Sequence, residues 1–363
     1  MKKLCIVIND ITTMGGVQKI CSILCSEFVR SYEVTIVSLG KTNASFYYPF
    51  PEEMKVIYTF RESVRIRKLL VESRRNLRKI LKHNSFDCVL SLGIIAGFIT
   101  SLANIGIHQY HVFADHGALC NQLDDKKVTF FRKVTARCAD QIVSLTKTTE
   151  NDYHEIFKTP KEKLLTIPNP IESKFLHRIK PYDPKQRIIL SVTRFSTEKG
   201  IDLLMKIAEQ VVSLDPEIVW NVCGDGPEFS YYQEQVKQLH LEKNLFLKGA
   251  VSDLLSVYDE AAVFALTSYR EGLPVVLLES LAKNLPMISF DVKTGANEII
   301  SDQENGLLIP CYDTNRFAQE LVLLLHDPVR LELMSQNCAA HQSEFLLHTI
   351  IEKWNKVINR GVQ

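Results

Sequence analysis

The chain has 363 residues, 46% of them hydrophobic, and its 43 basic and 42 acidic side chains give a formal net charge of +1. Such a composition is typical of a soluble globular protein that is long enough for two domains with separate cores. The near-neutral balance gives no whole-chain signal for nucleic acid or another polyanion. The nine cysteines are odd in number and lack the paired spacing of zinc ligands, which favours a reducing cytoplasm over a disulfide-linked secreted fold.

Two apolar runs imitate targeting or membrane segments. Residues 4–8 follow two lysines but stop at Asn9, which is too short for a signal peptide and predicts a first β-strand. Residues 88–107 carry no charged side chain and approach the length of a membrane span. Because glycines and hydroxyl residues interrupt this second run, we interpret it as a buried strand, a glycine turn and a buried helix, with a membrane span as the alternative.

In the first half of the chain, strand-like runs alternate with helical patterns. Strands are predicted at 4–8, 33–38, 88–92, 111–114, 141–145 and 164–167, with helices at 17–30 and about 63–83. This alternation is typical of a parallel, doubly wound α/β sheet. Four prolines then fall in a polar stretch, at positions 168, 170, 181 and 184. We therefore expect a first Rossmann-like domain over residues 1–170.

The pattern restarts after the prolines. Strands are predicted at 188–192, 218–223, 245–247, 263–266, 286–290 and 306–309, with helices at 200–213, 228–239 and around Glu279. We expect a second doubly wound domain over 185–340 and a helix within 341–363 that packs back toward the first domain. Ligands bind outside the carboxyl ends of parallel strands, so two facing domains would hold a ligand in one cleft.

Glu271 and Glu279 flank the segment Gly-Leu-Pro-Val-Val-Leu-Leu. The segment predicts a loop that becomes a helix, with Pro274 at the first helical position, where its missing N–H costs nothing. A helix N-terminus suits a diphosphate, and carboxylates accept hydrogen bonds from sugar hydroxyls. Diphosphate and diols are the two halves of a nucleotide sugar, so this segment predicts a nucleotide-sugar site.

Arg194 and Lys199 follow the predicted strand 188–192, ahead of a helix. An arginine fork and a lysine point charge at a strand end could neutralise a departing diphosphate. The alternative is a solvated loop.

Two further turns carry paired glycines after a strand. They are Gly224 and Gly226 in the second domain and Gly15 and Gly16 in the first. Glycine allows a backbone to approach a phosphate closely, but neither turn has the third glycine of a dinucleotide fingerprint. A plain tight turn is the alternative, and a dinucleotide-dependent oxidoreductase is disfavoured.

In this order and on these elements, the residues resemble the family-four retaining glycosyltransferases of GT-B fold. The resemblance covers nearly the whole chain, and the segments that carry it best are 191–194, 199–200, 224–227, 268–274 and 298–308. It implies that Arg194 and Lys199 bind the donor diphosphate, that Glu279 binds the ribose hydroxyls and that Glu271 binds the transferred sugar. It also implies that the backbone around Gly272, Leu273, Pro274 and Val275 lines the phosphates and that Lys248 lies beside the base.

The first domain matches the family less closely. Gly15 and Gly16 precede Val-Gln where the family usually has Ala-Glu, which puts a donor contact from Gln18 in doubt. His116, just after a predicted strand, resembles the family's active-site histidine near the hydroxyls of the transferred sugar; a structural histidine is the alternative. Asn169 lies in a segment that resembles a family hinge motif or forms a plain turn.

The resemblance implies retention of the anomeric configuration, with an oxocarbenium-like state and with Glu271 as a sugar ligand. No Asp-x-Asp triplet occurs in the sequence, so it does not require a metal ion on the diphosphate, and no cofactor is expected. The donor is then a hexose or N-acetylhexosamine linked to a nucleotide, with UDP preferred. A sugar-nucleotide epimerase of the same fold and a non-catalytic partner subunit remain alternatives.

Residues 61–83 form a basic stretch whose leucines and isoleucines follow helical spacing. Such an amphipathic helix can lie on an anionic membrane, or it can pack its apolar stripe on the first sheet with its charges in solvent. The membrane interpretation fits a polyprenyl-diphosphate-linked glycan acceptor. Bacterial relatives build O-antigen, capsule or exopolysaccharide on such lipids at the cytoplasmic face of the inner membrane.

Overall fold

The computed structural model describes residues 1–60 and 66–362. The chain forms two compact units: unit 1 comprises Met1–Asn169 and His348–Gln363, and unit 2 comprises Pro170–Leu347. Residues 61–65 of the predicted basic helix and the side chains of 66–69 lie outside the described part. Each unit is built on its own parallel sheet, as the alternating pattern predicts.

Unit 1 contains a seven-stranded parallel sheet in the order β3-β2-β1-β4-β5-β6-β7. Its elements along the chain are β1 (Lys2–Asp10), α1 (Gly16–Phe28), β2 (Tyr32–Gly40), β3 (Lys55–Tyr58), α2 (Ile66–His83), β4 (Cys88–Leu92), α3 (Ile94–Asn104), β5 (His111–Asp115), α4 (Lys126–Cys138), β6 (Gln141–Ser144), α5 (Lys147–Phe157) and β7 (Leu164–Thr166). The central strands are continuous apolar runs because helices cover both faces of a parallel sheet.

The uncharged run 88–107 folds as a strand, a turn and a helix. β4 is buried along its whole length, Gly93 turns the chain with a φ of 87°, and α3 follows. Only a residue without a side chain adopts this backbone conformation readily. Within residues 1–60 and 66–362, no helix combines the length and the apolar character needed to cross a bilayer.

Unit 2 contains a six-stranded parallel sheet in the order β10-β9-β8-β11-β12-β13. Its elements are β8 (Ile188–Val192), α6 (Ile201–Leu214), β9 (Val219–Cys223), α7 (Phe229–Gln238), β10 (Leu245–Gly249), α8 (Leu254–Asp259), β11 (Val263–Leu266), α9 (Val275–Ala282), β12 (Met287–Phe290), β13 (Gly306–Ile309), α10 (Thr314–Leu325) and α11 (Pro328–His341). The helices α10 and α11 also belong to this unit.

The last helix, α12 (Leu347–Ile358), packs in unit 1. Ile350 and Trp354 are buried in the cluster that also holds Ile6 of β1 and Leu24 of α1. Tyr32 donates a hydrogen bond of 2.8 Å to the side chain of Asn355 on this helix. The apolar face of α12 therefore forms part of the core of unit 1.

In both sheets the strand order reverses beside the first strand. The reversal lies between β1 and β4 in unit 1 and between β8 and β11 in unit 2. At such a point the two loops leave the carboxyl edge in opposite directions and open a crevice, which is where ligands bind in open α/β sheets. In unit 2 these loops hold Arg194 to Lys199 and Ser268 to Pro274.

Candidate active site

The loop after β8 carries both buried and exposed side chains. Phe195 is fully buried, with its ring centroid 4.8 Å from that of Phe229, whereas Arg194 is exposed. Lys199 ends a short 3₁₀ turn before α6. The pKa of Glu198 lies below its ordinary value, mainly because its carboxylate accepts a hydrogen bond from its own backbone N–H, and also because Lys199 and Arg194 lie nearby. Arg194 and Lys199 thus lie close enough to Glu198 to favour its charged form.

Lys199 and Glu271 form an ion pair across the reversal point. Lys199 Nζ lies 2.8 Å from Oε1 and 3.0 Å from Oε2 of Glu271. The glutamate side chain is 9% exposed and the lysine side chain 27%. Two residues that the sequence places 72 positions apart thus meet at one crevice, and each carries a charge that suits part of a nucleotide sugar.

The loop after β12 holds Glu271 in place. Thr294 Oγ1 donates a hydrogen bond of 2.6 Å to the backbone carbonyl of Glu271. Gly295 has a φ of 101°, and a Cβ there would lie 2.9 Å from the carbonyl oxygen of Gly272 and 3.0 Å from Pro274. Neither Thr294 nor Gly295 is among the site residues predicted from the sequence. A Thr-Gly pair after a predicted strand was the available signal.

The helix after Glu271 begins one residue later than predicted. Pro274 is the residue before α9, with an extended ψ of 112°, and Val275 is the first helical residue. The prediction of Pro274 at the first helical position is therefore wrong. The proline carbonyl still accepts the first helical hydrogen bond, from Leu277 N at 3.1 Å. Gly272 and Val275 remain partly accessible at this helix start, whereas Leu273 is buried.

Glu279 lies in the middle of α9 and is 5% exposed. Its Oε2 accepts a hydrogen bond of 3.0 Å from the hydroxyl of Tyr258, which is fully buried on α8. A buried carboxylate needs such donors. Tyr258 is not among the predicted site residues, because nothing in its local sequence pattern distinguishes it from a core aromatic residue.

Gly224 and Gly226 are required by close packing against the loop of Arg194. Gly224 has a φ of 133°, and a Cβ on it would lie 1.7 Å from the carbonyl oxygen of Thr193. A Cβ on Gly226 would lie 2.4 Å from the carbonyl oxygen of Phe195. Phe195 N also donates a hydrogen bond of 3.1 Å to Asp225 O. The two glycines therefore allow this turn to pack closely against the Arg194 loop, as expected for a plain tight turn. A direct contact between the glycines and the donor stays a prediction.

Lys248 lies near the end of β10, the strand at one edge of the sheet. It is exposed, and its Nζ lies 5.1 Å from the centroid of the Phe246 ring. An exposed lysine over an aromatic ring is compatible with a place beside a base, and that role stays a prediction.

In unit 1, Gly15 and Gly16 start α1 at the carboxyl end of β1. A Cβ on Gly16 would meet no heavy atom of the described residues within 4 Å, so the described part of the chain leaves the space beside it open. Gln18 Nε2 donates hydrogen bonds to the carbonyl of Asp10 at 2.9 Å and to Thr13 Oγ1 at 2.8 Å. Gln18 thus stabilises the turn.

His116 follows β5 above a buried ionic network. Asp115 accepts hydrogen bonds from Arg132 Nε and from the Tyr153 hydroxyl, both at 2.7 Å, and from Gly117 N at 3.0 Å. All three of these side chains are at most 1% exposed. Burial lowers the pKa of His116 to about 4, although Asp115 opposes the shift. Within the described residues, His116 Nε2 is out of contact with solvent and makes no hydrogen bond.

Two doubly wound parallel sheets define an α/β protein of Rossmann-like type, and the Lys199–Glu271 ion pair of the second sheet lies at its reversal point, where ligands bind in open α/β sheets. Two family comparisons are more specific. Glycosyltransferase Family 4 matches residues 14–175, and Glycosyl transferases group 1 matches residues 172–341. The chain belongs to the family-four glycosyltransferases of GT-B fold, which confirms the resemblance found in the sequence.

Relatives extend over the whole chain. An uncharacterized glycosyltransferase of Haemophilus influenzae is 23% identical, covering 99% of this chain and 100% of the relative. A Campylobacter jejuni protein is 26% identical, covering 99% of this chain and 98% of the relative; it is the GalNAc-alpha-(1->4)-GalNAc-alpha-(1->3)-diNAcBac-PP-undecaprenol alpha-1,4-N-acetyl-D-galactosaminyltransferase. Among solved structures, S. aureus TarM in complex with fondaparinux, alpha-GlcNAc-glycerol and UDP has a TM-score of 0.82 at 16% identity, covering 99% of this chain and 100% of TarM.

Proposed function

We propose that the protein is a retaining, metal-independent glycosyltransferase of bacterial envelope polysaccharide synthesis. It transfers a hexose or N-acetylhexosamine from a UDP-sugar to a lipid-linked glycan. The UDP bound in TarM supports the donor, and the undecaprenol-linked name of the Campylobacter relative supports the acceptor. In this proposal residues 185–340 bind the donor and residues 1–170 bind the acceptor.

The observation that carries the proposal is the ion pair of Lys199 and Glu271 at the start of α9. Without a donor the two charges neutralise each other. A nucleotide sugar supplies a partner for each: its diphosphate takes the lysine, and the hydroxyls of its sugar take the carboxylate. Glu279 of α9, whose carboxylate accepts a hydrogen bond from Tyr258, binds the hydroxyls of the ribose.

The chemistry follows from where charge develops. As the anomeric C–O bond breaks, negative charge collects on the diphosphate, and Lys199, Arg194 and the N–H groups at the start of α9 stabilise it there. These groups take the place that a metal ion has in other transferases. The acceptor hydroxyl attacks from the face of the leaving group and passes its proton to a phosphate oxygen, which retains the configuration. His116, neutral at pH 7, hydrogen-bonds a hydroxyl of the transferred sugar.

The described part of α2 divides its side chains between packing and exposure. Leu77 and Leu81 are buried, and Arg78 Nη1 donates a hydrogen bond of 2.8 Å to the carbonyl of Ala103 at the end of α3. Arg75, Lys79 and Lys82 are exposed at helical spacings of four and three, so they share one face. This face supports the proposal of contact with an anionic membrane where a lipid-linked acceptor lies.

A donor panel tests the function. The protein is incubated with UDP-, GDP- and ADP-sugars, with and without acceptor glycolipid, and nucleotide release and conversion of the sugar are measured. We expect release from a UDP-sugar that depends on the acceptor and persists in EDTA. Conversion of the sugar without an acceptor would indicate an epimerase, and the absence of binding and turnover with every donor would indicate a non-catalytic subunit.

A further inference from the structure

Glu279 depends on a neighbouring helix for the position of its carboxylate. The hydroxyl of Tyr258, at the end of α8, lies 3.0 Å from Glu279 Oε2 and 3.2 Å from the carbonyl oxygen of Val276. Burial and the negative charge of Glu279 raise the pKa of Tyr258 far above its ordinary value. The phenol therefore stays protonated, and its one hydrogen is available to the carboxylate.

The ring of Tyr258 has little freedom. It is fully buried, stacks on Phe264 with centroids 5.7 Å apart, and meets Phe175 edge-on at 5.6 Å. Rotation of the ring would break both contacts in a close-packed interior. The hydroxyl thus occupies a fixed point beside α9, and a fixed donor restricts where an acceptor oxygen can lie.

The next residue of α8 binds the end of the same helix. Lys283 Nζ lies 3.1 Å from Asp259 Oδ1 and donates a hydrogen bond of 2.6 Å to the carbonyl of His177. Arg178 Nη1 donates a hydrogen bond of 2.6 Å to the carbonyl of Lys283. Tyr258 and Asp259 therefore attach to the middle and to the end of α9, so that α8 fixes this helix at two points.

We infer that Tyr258 is a positioning residue for ribose recognition: its hydroxyl holds one oxygen of Glu279 so that the carboxylate faces the 2′- and 3′-hydroxyls of the donor nucleotide. The inference rests on the proposed function, in which Glu279 binds the ribose. A merely structural Tyr258 would affect stability alone. A positioning Tyr258 affects discrimination between nucleotides that differ only in the ribose.

The test compares the binding of UDP and 2′-deoxy-UDP to the full-length protein by calorimetry. We expect the wild type to bind UDP about tenfold more tightly, as is typical of a hydrogen bond to a charged group. Tyr258→Phe keeps the ring and removes the hydroxyl, and it should bring the ratio close to one. Tyr182→Phe is the matched control, because the Tyr182 hydroxyl donates to the carbonyl of Ala262 at 2.8 Å and to no residue of the site.

A second variant pair covers the case in which Tyr258→Phe folds poorly beside a charged glutamate. In Glu279→Gln the side chain carries no charge, and its amide oxygen still accepts a hydrogen bond from Tyr258. This single variant should therefore keep part of the preference for UDP over 2′-deoxy-UDP. The double variant Glu279→Gln with Tyr258→Phe should lose that preference. If the preference for UDP persists both in Tyr258→Phe and in the double variant, the inference is overturned and the proposed function stays intact. A wild type that binds the two nucleotides equally overturns the role of Glu279 and the inference with it.

Discussion

Lys199 and Glu271 neutralise each other through two contacts of 2.8 and 3.0 Å. A donor must therefore compete with a carboxylate for the lysine. Glu271→Gln removes the competitor, so UDP should bind about fivefold more tightly, the worth of a partly exposed ion pair of about 1 kcal/mol. Sugar transfer should nevertheless fall, because the transferred sugar loses its carboxylate. Calorimetry with UDP checks the expected gain in affinity, and a transfer assay on the same variant checks the expected loss of activity. Weaker UDP binding by Glu271→Gln would contradict the competition between donor and carboxylate.

Arg194 allows the role of a positive charge in turnover to be tested without a loss of stability. Because the side chain is exposed, Arg194→Ala should leave the free energy of unfolding within about 0.5 kcal/mol of the wild type. Turnover should fall by roughly 10²-fold, since a cation is lost where the leaving group becomes charged. Arg316→Ala, at another exposed arginine of unit 2, is the control and should retain full activity. Equal kcat values in the two variants would remove Arg194 from the mechanism.

The order of the elements could be predicted from the sequence because strands in a parallel sheet are apolar throughout and helices between them are amphipathic. Short or polar elements were missed for the same reason. β3 has only four residues, all of them at least partly exposed, and its apolar run of Val56, Ile57 and Tyr58 is too short to distinguish a strand from a loop. α4 and α5 carry polar residues on most of their surface, and the sequence pattern does not predict them.

Site residues that carry charge after a strand could be predicted, since the carboxyl edge of a sheet is where such residues act. Their supports could not. Tyr258, Thr294 and Arg132 act through contacts with residues 21, 23 and 17 positions away, and only the folded chain brings them together. The start of α9 was misplaced because Pro274 suits both the first helical position and the residue before it.

The network of Asp115, Arg132 and Tyr153 should be essential for unit 1. Arg132→Met leaves a buried carboxylate without its cation and should cost about 3–5 kcal/mol. Tyr153→Phe removes one hydrogen bond to a charged group and should cost about 2 kcal/mol. Denaturant unfolding measures both, and Lys133→Met, at an exposed position of the same helix, is the control. A tolerant Arg132→Met protein would show that the ion pair contributes little.

The exposed basic face of α2 should contribute to membrane binding. Each lysine or arginine near an anionic surface adds about 1 kcal/mol, so replacing Arg75, Lys79 and Lys82 by glutamine should lower vesicle binding by roughly 10²-fold. Flotation with and without phosphatidylserine measures this. The same change at Lys126, Lys133 and Arg137 of α4 removes equal charge from exposed positions of the same unit. If the two triple variants bind alike, overall charge and not α2 attracts the membrane.

Two histidines of unit 1 should make its stability sensitive to acid. Burial lowers the pKa of His111 to about 3 and that of His116 to about 4, whereas both titrate near 6.5 in an unfolded chain. Below pH 6.5 these histidines are therefore protonated in the unfolded state but still neutral in the folded state. The free energy of unfolding falls as the pH falls toward the folded pKa values. Between pH 7 and pH 5 each histidine should remove about 2 kcal/mol.

The chain offers a way to follow unit 1 alone. Trp354 lies in its core and the second tryptophan, Trp220, lies in unit 2, so Trp220→Phe leaves one fluorophore that reports on unit 1. In that background, His116→Gln should reduce the loss of stability between pH 7 and pH 5 by about 2 kcal/mol, because one titrating group is gone. An unchanged pH dependence would mean that His116 reaches solvent and protonates in the folded protein. It would then face the sugar as a cation below neutral pH, and transfer would show an acid limb near pH 6.5 that a neutral His116 lacks.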